Sequence, residues 1–351
     1  MLPKLIINKK KFKHNLDHIL NVAHKQGLTI MVVTKVFSAD QNLVDIINLS
    51  SADYIADSRI ENLKSMKTDK EKVLLRIPSI SEAQDVITYS DISLNSELKT
   101  IEYLNNVAIE NNIIHKVILM LDLGDLREGI FYIDELLKTV KEVIKLSNIV
   151  LAGIGTNLTC YGGVIPSATI YDKLLNIKEE IVNNFGISLQ IISGGNSSSL
   201  DMLLNRKLPK GINNLRIGEA IVLGRETAYG DYLDNMYNDV FTLEAEIVEL
   251  KLKPSIPIGE IGMNAFGKTP KFDDLGEILR GIISIGKQDV DHNEIIPFDT
   301  IKILGSSSDH IILNMNDTIN HYEIGDTVLF KLSYSSLLSL NTSKYISKHY
   351  V

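Results

Sequence analysis

Tryptophan is absent from this chain of 351 residues, cysteine occurs once and proline only eight times. A single cysteine, Cys160, excludes an intrachain disulfide and a cysteine-rich metal site. It suits a reducing compartment, so a cytoplasmic location is expected. Long apolar runs are missing as well. No window approaches the roughly 18 apolar residues of a membrane span. The opening stretch, MLPKLIINKKKFKHNL, is basic, but its apolar run is too short for a signal peptide. Basic residues are not in surplus: the formal net charge is −8, which argues against nucleic acid as the main partner. Low-complexity tracts are absent. The composition, 44% apolar and 23% charged, is ordinary for a globular protein, and the length suits two domains.

From residue 28 to about 220 the sequence repeats an apolar strand, a turn and an amphipathic helix. Strands are predicted at 28–34, 53–57, 73–77, 91–95, 116–122, 150–155, 189–193 and 214–217. Ser38 and Gln41 are spaced as a capping box, as are Ser81 and Gln84 before a helix over 81–89, and a further helix is predicted within 132–146. Eight strands alternating with helices predict a (β/α)8 barrel over 10–230, with an open parallel sheet as the rival. After about 238 the pattern changes to VFTLEAEIVELK, ILRGIISIG, DTIKILG, HIILNM and DTVLFKL, punctuated by Pro254, Pro257 and Pro297. This predicts a mostly antiparallel β domain over 231–351, with the opening strand 1–9 a candidate member.

Chemistry is expected at the carboxyl ends of the barrel strands. Lys35 ends the first of them, in TIMVVTKVF. A lysine in apolar surroundings can have a depressed pKa and can form a Schiff base with an aldehyde, although many lysines simply snorkel from a strand edge. The other strand ends carry Asp57, Ser58, Arg76, Asn95, Asp122, Asn157, Asn196, Ser197 and Arg216, which a barrel would gather on one face. The loop IISGGNSSS, residues 191–199, offers backbone N–H groups and hydroxyls suited to a phosphate. In NNLRIGEAIVLG, Gly218 and Glu219 open a helix beside Arg216, and barrels often bind phosphate between the loops after strands seven and eight. A strand-end lysine and a phosphate cup together point to pyridoxal 5'-phosphate as cofactor.

At these residues the chain resembles the alanine-racemase-fold enzymes that use pyridoxal phosphate, and the resemblance covers essentially its whole length. It implies a cytoplasmic amino-acid racemase, a homodimer with shared active sites, with the cofactor on Lys35 in VVTKVF. Arg127 in DLGDLREG matches the arginine that holds the substrate carboxylate. Asn157 in GIGTNLTCYG stands where the family usually has a ring-stacking histidine. Asn196, Ser197, Gly218 and Glu219 match the phosphate-binding segments, and Arg216 the arginine facing the pyridine nitrogen. SGGNSSS, NNLRIGEAI and GRETAYG imply, within that family, interconversion of L- and D-ornithine. Two departures stand out. Phe266 in NAFGKT replaces the tyrosine that serves as second base, leaving Ser307, Ser308 and His310 as candidates, and Met120 replaces a lysine that orients the carboxylate arginine. Asp309 stands where related decarboxylases place an aspartate that grips a distal ammonium.

Other readings compete. A decarboxylase of the same fold shares Asp309, but Ser308 replaces its cysteine and Arg216 its ring-facing glutamate. A non-catalytic carrier of the cofactor would lack the second domain. GMNAFGKT, residues 262–269, fits the P-loop pattern of a nucleotide hydrolase, but Pro270 follows at once. His14 and His18 share a helical face without a third ligand, and Cys160 reads as a loop thiol, so no metal is expected.

Overall fold

The computed structural model describes residues 2–351. The chain divides into two compact units, 11–238 and 1–10 together with 239–351. The first strand, β1 (Lys4–Ile7), belongs to the second of these.

In the unit 11–238, eight parallel strands close into a barrel. They are β2 (Thr29–Val33), β3 (Tyr54–Asp57), β4 (Lys72–Leu74), β5 (Ile92–Asn95), β6 (His115–Leu121), β7 (Ile149–Thr156), β8 (Ile191–Ser193) and β9 (Asn214–Ile217). Closure comes from β2 pairing with β9, Ile30 opposite Leu215, which excludes the open sheet. Met31, Ala56, Val73, Ile92, Leu94, Ile118, Met120 and Ile191 form one buried cluster among the strands. Alternation sends their neighbours, such as Ile30, Ile55 and Leu119, to the other face, where they are also fully buried. Burial on both faces is why these strands read as continuous apolar runs. Each such side chain contributes about 1.5–3 kcal/mol.

The helix starts differ in detail from the sequence reading. Helix Gln41–Asn48 is capped by Asp40, whose carboxylate accepts the Asn42 N–H at 3.1 Å. Ser38 instead ends a short 3-10 turn, Lys35–Phe37, in the left-handed region at φ 51°. The second capping box forms at Ser79 and Glu82, not Ser81 and Gln84. Arg76 holds Glu82 at 2.5 Å, which supports the box two residues earlier.

The other unit is built on β10 (Phe241–Pro254), with β11 (Glu277–Ile283), β12 (Ile295–Pro297), β13 (Lys302–Ser306), β14 (Ile311–Asn314), β15 (Thr327–Leu332) and β16 (Ser347–Tyr350). The sheet runs β12-β15-β10-β11-β14-β13, while β1 pairs antiparallel with β10 and parallel with β16. Phe241, Leu243, Ala245 and Ile247 are buried in alternation along β10, the period of a sheet with one packed face. Residues 255–276 form neither helix nor strand. The P-loop match lies there, in a turn where Asn264 Oδ1 accepts the N–H groups of Phe266 and Lys268. No helix begins at its Lys-Thr, so the nucleotide-hydrolase reading is excluded. Among the described residues no helix is long and apolar enough to cross a membrane.

Candidate active site

Not every polar strand end faces the barrel interior. Asp57 and Asn95 alternate with the interior residues Ala56 and Leu94, and so lie on the helix side. The buried Asp57 carboxylate accepts from the Thr34 hydroxyl (2.5 Å), the Arg59 N–H (2.9 Å) and the Asn62 amide (3.1 Å). Burial pushes its pKa up despite these donors. Asn95 donates to Ser93 Oγ at 2.9 Å. The expectation that all eight ends converge is therefore corrected: Asp57 fixes a helix–strand connection and Asn95 bonds within its own strand. Lys35 opens the turn after β2, and its charge acts on the Glu219 carboxylate after the neighbouring strand β9.

A buried polar cluster fills the interior at the ends of β7, β8 and β9. Arg216 is 4% exposed and donates to Ser193 Oγ (2.5 Å), the Thr156 carbonyl (2.7 Å) and Asn157 Oδ1 (3.2 Å). Burial lowers its pKa to about 10, so it stays cationic near neutral pH. Asn196 Nδ2 donates to Asn157 Oδ1 (3.1 Å), the Leu158 carbonyl (2.9 Å) and Cys160 Sγ (3.2 Å). Burial pushes the Cys160 thiol up, against the pull of Arg127 and Arg216, which fits an unreactive loop thiol. Asn157 Nδ2 donates to Glu128 Oε1 at 3.0 Å, and Glu128 takes Arg127 through both Nε and Nη2. Met120 is buried in the barrel core and gives Arg127 nothing. The partner is the next residue in sequence, which the reading by pattern missed; its signal was only a charge pair, Arg127-Glu128, inside a loop.

Asp125 ties that loop to the one after β7. It is 1% exposed and accepts the backbone N–H groups of Thr159, Cys160, Tyr161 and Val164 at 2.9–3.1 Å. Burial alone would raise its pKa, but the N–H donors outweigh it and hold the carboxyl below its ordinary value. Asp125→Asn should lower stability by about 1–3 kcal/mol at neutral pH, because an amide oxygen cannot replace both acceptors. With the folded-state pKa depressed, this stabilisation is present above the unfolded value of about 3.9 and is lost as pH falls through the folded one. Urea denaturation at neutral pH and below about pH 4 should therefore show the two proteins converging in acid. An unchanging difference would remove the ionic role.

The loop after β8 is held by Tyr171, missed in the sequence because it lies on a helix 23 residues before its partner Gly194. Its hydroxyl donates to the Gly194 carbonyl at 2.6 Å and lies 2.7 Å from Ser199 Oγ, and burial pushes its pKa up to about 12. Gly195 has φ +115°, a conformation other residues rarely adopt. Ser198 Oγ is buried without a partner, and Ser197 Oγ accepts the Ala220 N–H at 3.4 Å. A Cβ on Gly218 would come within 2.9 Å of Val33 Cβ, so only glycine lets the two ends meet. The Glu219 carboxylate turns to Arg225 (2.8 and 3.0 Å), which leaves the backbone of this turn, not its charge, for an anion. An unpartnered hydroxyl, a glycine-lined cradle, and a lysine with an arginine nearby fit pyridoxal phosphate.

In the other unit, Ser307–His310 is the turn of the β13–β14 hairpin. The Ser307 N–H donates to the His310 carbonyl (2.8 Å) and Ser308 Oγ to Asp309 (2.6 Å). Lys287 and Gln288 donate backbone N–H groups to the Ser307 and Ser308 carbonyls. The Lys287 ammonium also lies 4.5 Å from the Phe266 ring centre. Lys287 thus joins Phe266 to this turn, a neighbour that sequence reading did not single out. Ser308, Asp309 and His310 are exposed. Among the described residues no three His, Cys, Asp or Glu side chains are placed to hold a metal. The His14 ring is engaged by the Asn235 carbonyl at 2.8 Å and the Tyr237 ring.

Residues 7–226 match the family described as "Alanine racemase, N-terminal domain". An ornithine racemase of Acetoanaerobium sticklandii is 48% identical over 350 residues, 99% of each chain. A lysine racemase of Thermotoga maritima is 37% identical over 352 residues, 99% of this chain and 98% of that one. Among solved structures, an alanine racemase of Clostridium difficile 630 superposes with a TM-score of 0.74, covering 100% of this chain and 96% of that one. At 18% identity that likeness speaks for the fold alone.

Proposed function

The chain belongs to the alanine racemase family and is a pyridoxal-phosphate-dependent amino-acid racemase, and from that premise we propose that it interconverts L- and D-ornithine. The observation that carries the substrate is the full-length 48% identity to an ornithine racemase. Lysine is the second reading, because a lysine racemase is 37% identical over a similar span. Decarboxylation is not favoured: both relatives are racemases, and Arg216 stands where decarboxylases carry glutamate. When bound, pyridoxal phosphate supplies the electron-withdrawing ring that acidifies the substrate Cα–H bond.

The proposal assigns roles to the chain's own groups. Lys35 anchors the cofactor and moves a proton at Cα on one face. Ser307, Ser308 or His310 does so on the other, since the Phe266 ring has no proton to exchange. Arg127 holds the substrate carboxylate. Arg216 would lie at the ring nitrogen; a guanidinium does not release its proton at working pH, so the nitrogen would stay unprotonated and the ring would draw less charge from Cα, which suits prompt return of a proton there. Asn196, Ser197 and the backbone at Gly218 and Glu219 would hold the phosphate, and Asn157 would support the ring. The exposed turn carrying Ser308, Asp309 and His310 suits a homodimer whose sites are shared. The single cysteine suits a cytoplasmic enzyme.

Exchange of the α-proton in deuterated water, run on both enantiomers of ornithine, lysine, alanine and serine, tests the reading. Exchange fastest on ornithine is expected, and a preference for lysine or alanine would overturn the assignment. Asp309 is proposed to meet the distal ammonium, a charge-assisted contact worth about 1.5–3 kcal/mol. Asp309→Asn should lower kcat/KM for ornithine roughly 10- to 200-fold, at about 1.4 kcal/mol per tenfold, and barely affect alanine. Equal losses on both substrates would return Asp309 to a structural role.

A further inference from the structure

We propose that Glu128 is the positioning residue of this site, clamping Arg127 by one edge so that its other edge takes the substrate carboxylate. The inference rests on the functional reading above and assigns a role to a residue that the family resemblance left without one.

A guanidinium can meet carboxylates along two edges, one through Nε and one Nη, the other through both Nη nitrogens. Glu128 occupies the first, accepting from Nε and Nη2 of Arg127. The end-on edge is left for a second carboxylate, and the Arg127 side chain is 42% exposed, open enough to be reached. Glu128 itself is 19% exposed, and its Oε1, which takes Arg127 Nη2, also accepts Asn157 Nδ2 at 3.0 Å. That contact also settles the Asn157 amide. With Nδ2 on Glu128, Oδ1 accepts from Arg216 (3.2 Å) and Asn196 (3.1 Å). One carboxylate therefore holds Arg127 directly and reaches Arg216 through a single amide, beside the shorter bonds of Arg216 to Ser193 Oγ and the Thr156 carbonyl. It also offsets the repulsion between two like charges: Glu128 raises the Arg216 pKa, whereas Arg127 lowers it.

Three N–H groups converge on Glu128, so the position requires an acceptor at both oxygens. Glutamine keeps the shape but turns one amide N–H toward those donors. Aspartate keeps the acceptors on a shorter arm. The test uses cofactor-loaded enzyme, with propionate as a competitive probe of the carboxylate subsite. For E128Q, kcat/KM should fall roughly 10- to 50-fold, with KM and the propionate Ki rising in parallel, and E128D, on its shorter arm, should recover at least threefold of that loss while its propionate Ki stays at least threefold above wild type. The cofactor's absorbance should be retained. The inference is overturned if E128Q stays within twofold of wild type, if kcat alone falls while KM and Ki are unchanged, or if E128D recovers nothing. Should E128Q not fold, E128D decides: a propionate Ki raised at least threefold supports the clamp and an unchanged Ki overturns it. Absence of α-proton exchange in the wild-type protein would strike the functional reading instead, while propionate affinity in the variants would still report on Glu128.

Discussion

Lys35→Ala should lower kcat/KM by at least about a thousandfold, the largest loss expected for any single substitution in this chain. One lysine is asked to do two things, to bind the cofactor covalently and to transfer a proton at Cα, and general acid–base catalysis alone is worth about 10²–10⁴. Its place is fixed by the barrel. It follows a strand buried on both faces, and it sits close enough to Glu219 for its charge to act on that carboxylate. Lys35→Arg should not recover activity, since a guanidinium stays protonated and cannot act as the nucleophilic amine. In the wild-type protein, borohydride reduction followed by peptide mass mapping should place the cofactor on Lys35. A cofactor-modified peptide containing a different lysine, or a Lys35→Ala protein with a tenth of normal activity, would sink the assignment.

Arg127→Ala should cost roughly a hundred- to a thousandfold in kcat/KM, carried mainly by KM. The truncation loses two charge-assisted hydrogen bonds to the substrate carboxylate, worth about 1.5–3 kcal/mol each. Here it would strand the substrate carboxylate and Glu128 alike, placing two anions side by side. Arg127→Lys should restore little, because an ammonium has no second flat edge with which to grip Glu128 and the substrate at once. The decisive comparison is an amino acid against its amide. Loss confined to the free acid supports carboxylate binding, and equal loss on both would reduce Arg127 to a loop anchor.

Much of this protein was legible in the sequence. The eight barrel strands lie where apolar runs predict them, from Thr29–Val33 to Asn214–Ile217, because a strand covered on both faces must be apolar throughout. The switch after residue 238 to strands of period two marked the antiparallel sheet, as β10 shows with Phe241, Leu243, Ala245 and Ile247. Periodicity is local, so it survives in a string of letters. Closure of the barrel was not local. It depended on Ile30 meeting Leu215, and an open sheet would have carried the same strands. Side-chain partners were likewise out of reach. Asp57 and Asn95 look like mouth residues until alternation against Ala56 and Leu94 turns them to the helices. Arg216 finds the Thr156 carbonyl 60 residues away, and Asn157 finds Glu128 across 29. A hydrogen bond needs its donor and acceptor within about 3 Å at a narrow angle, and only the folded backbone sets both for residues this far apart in the chain.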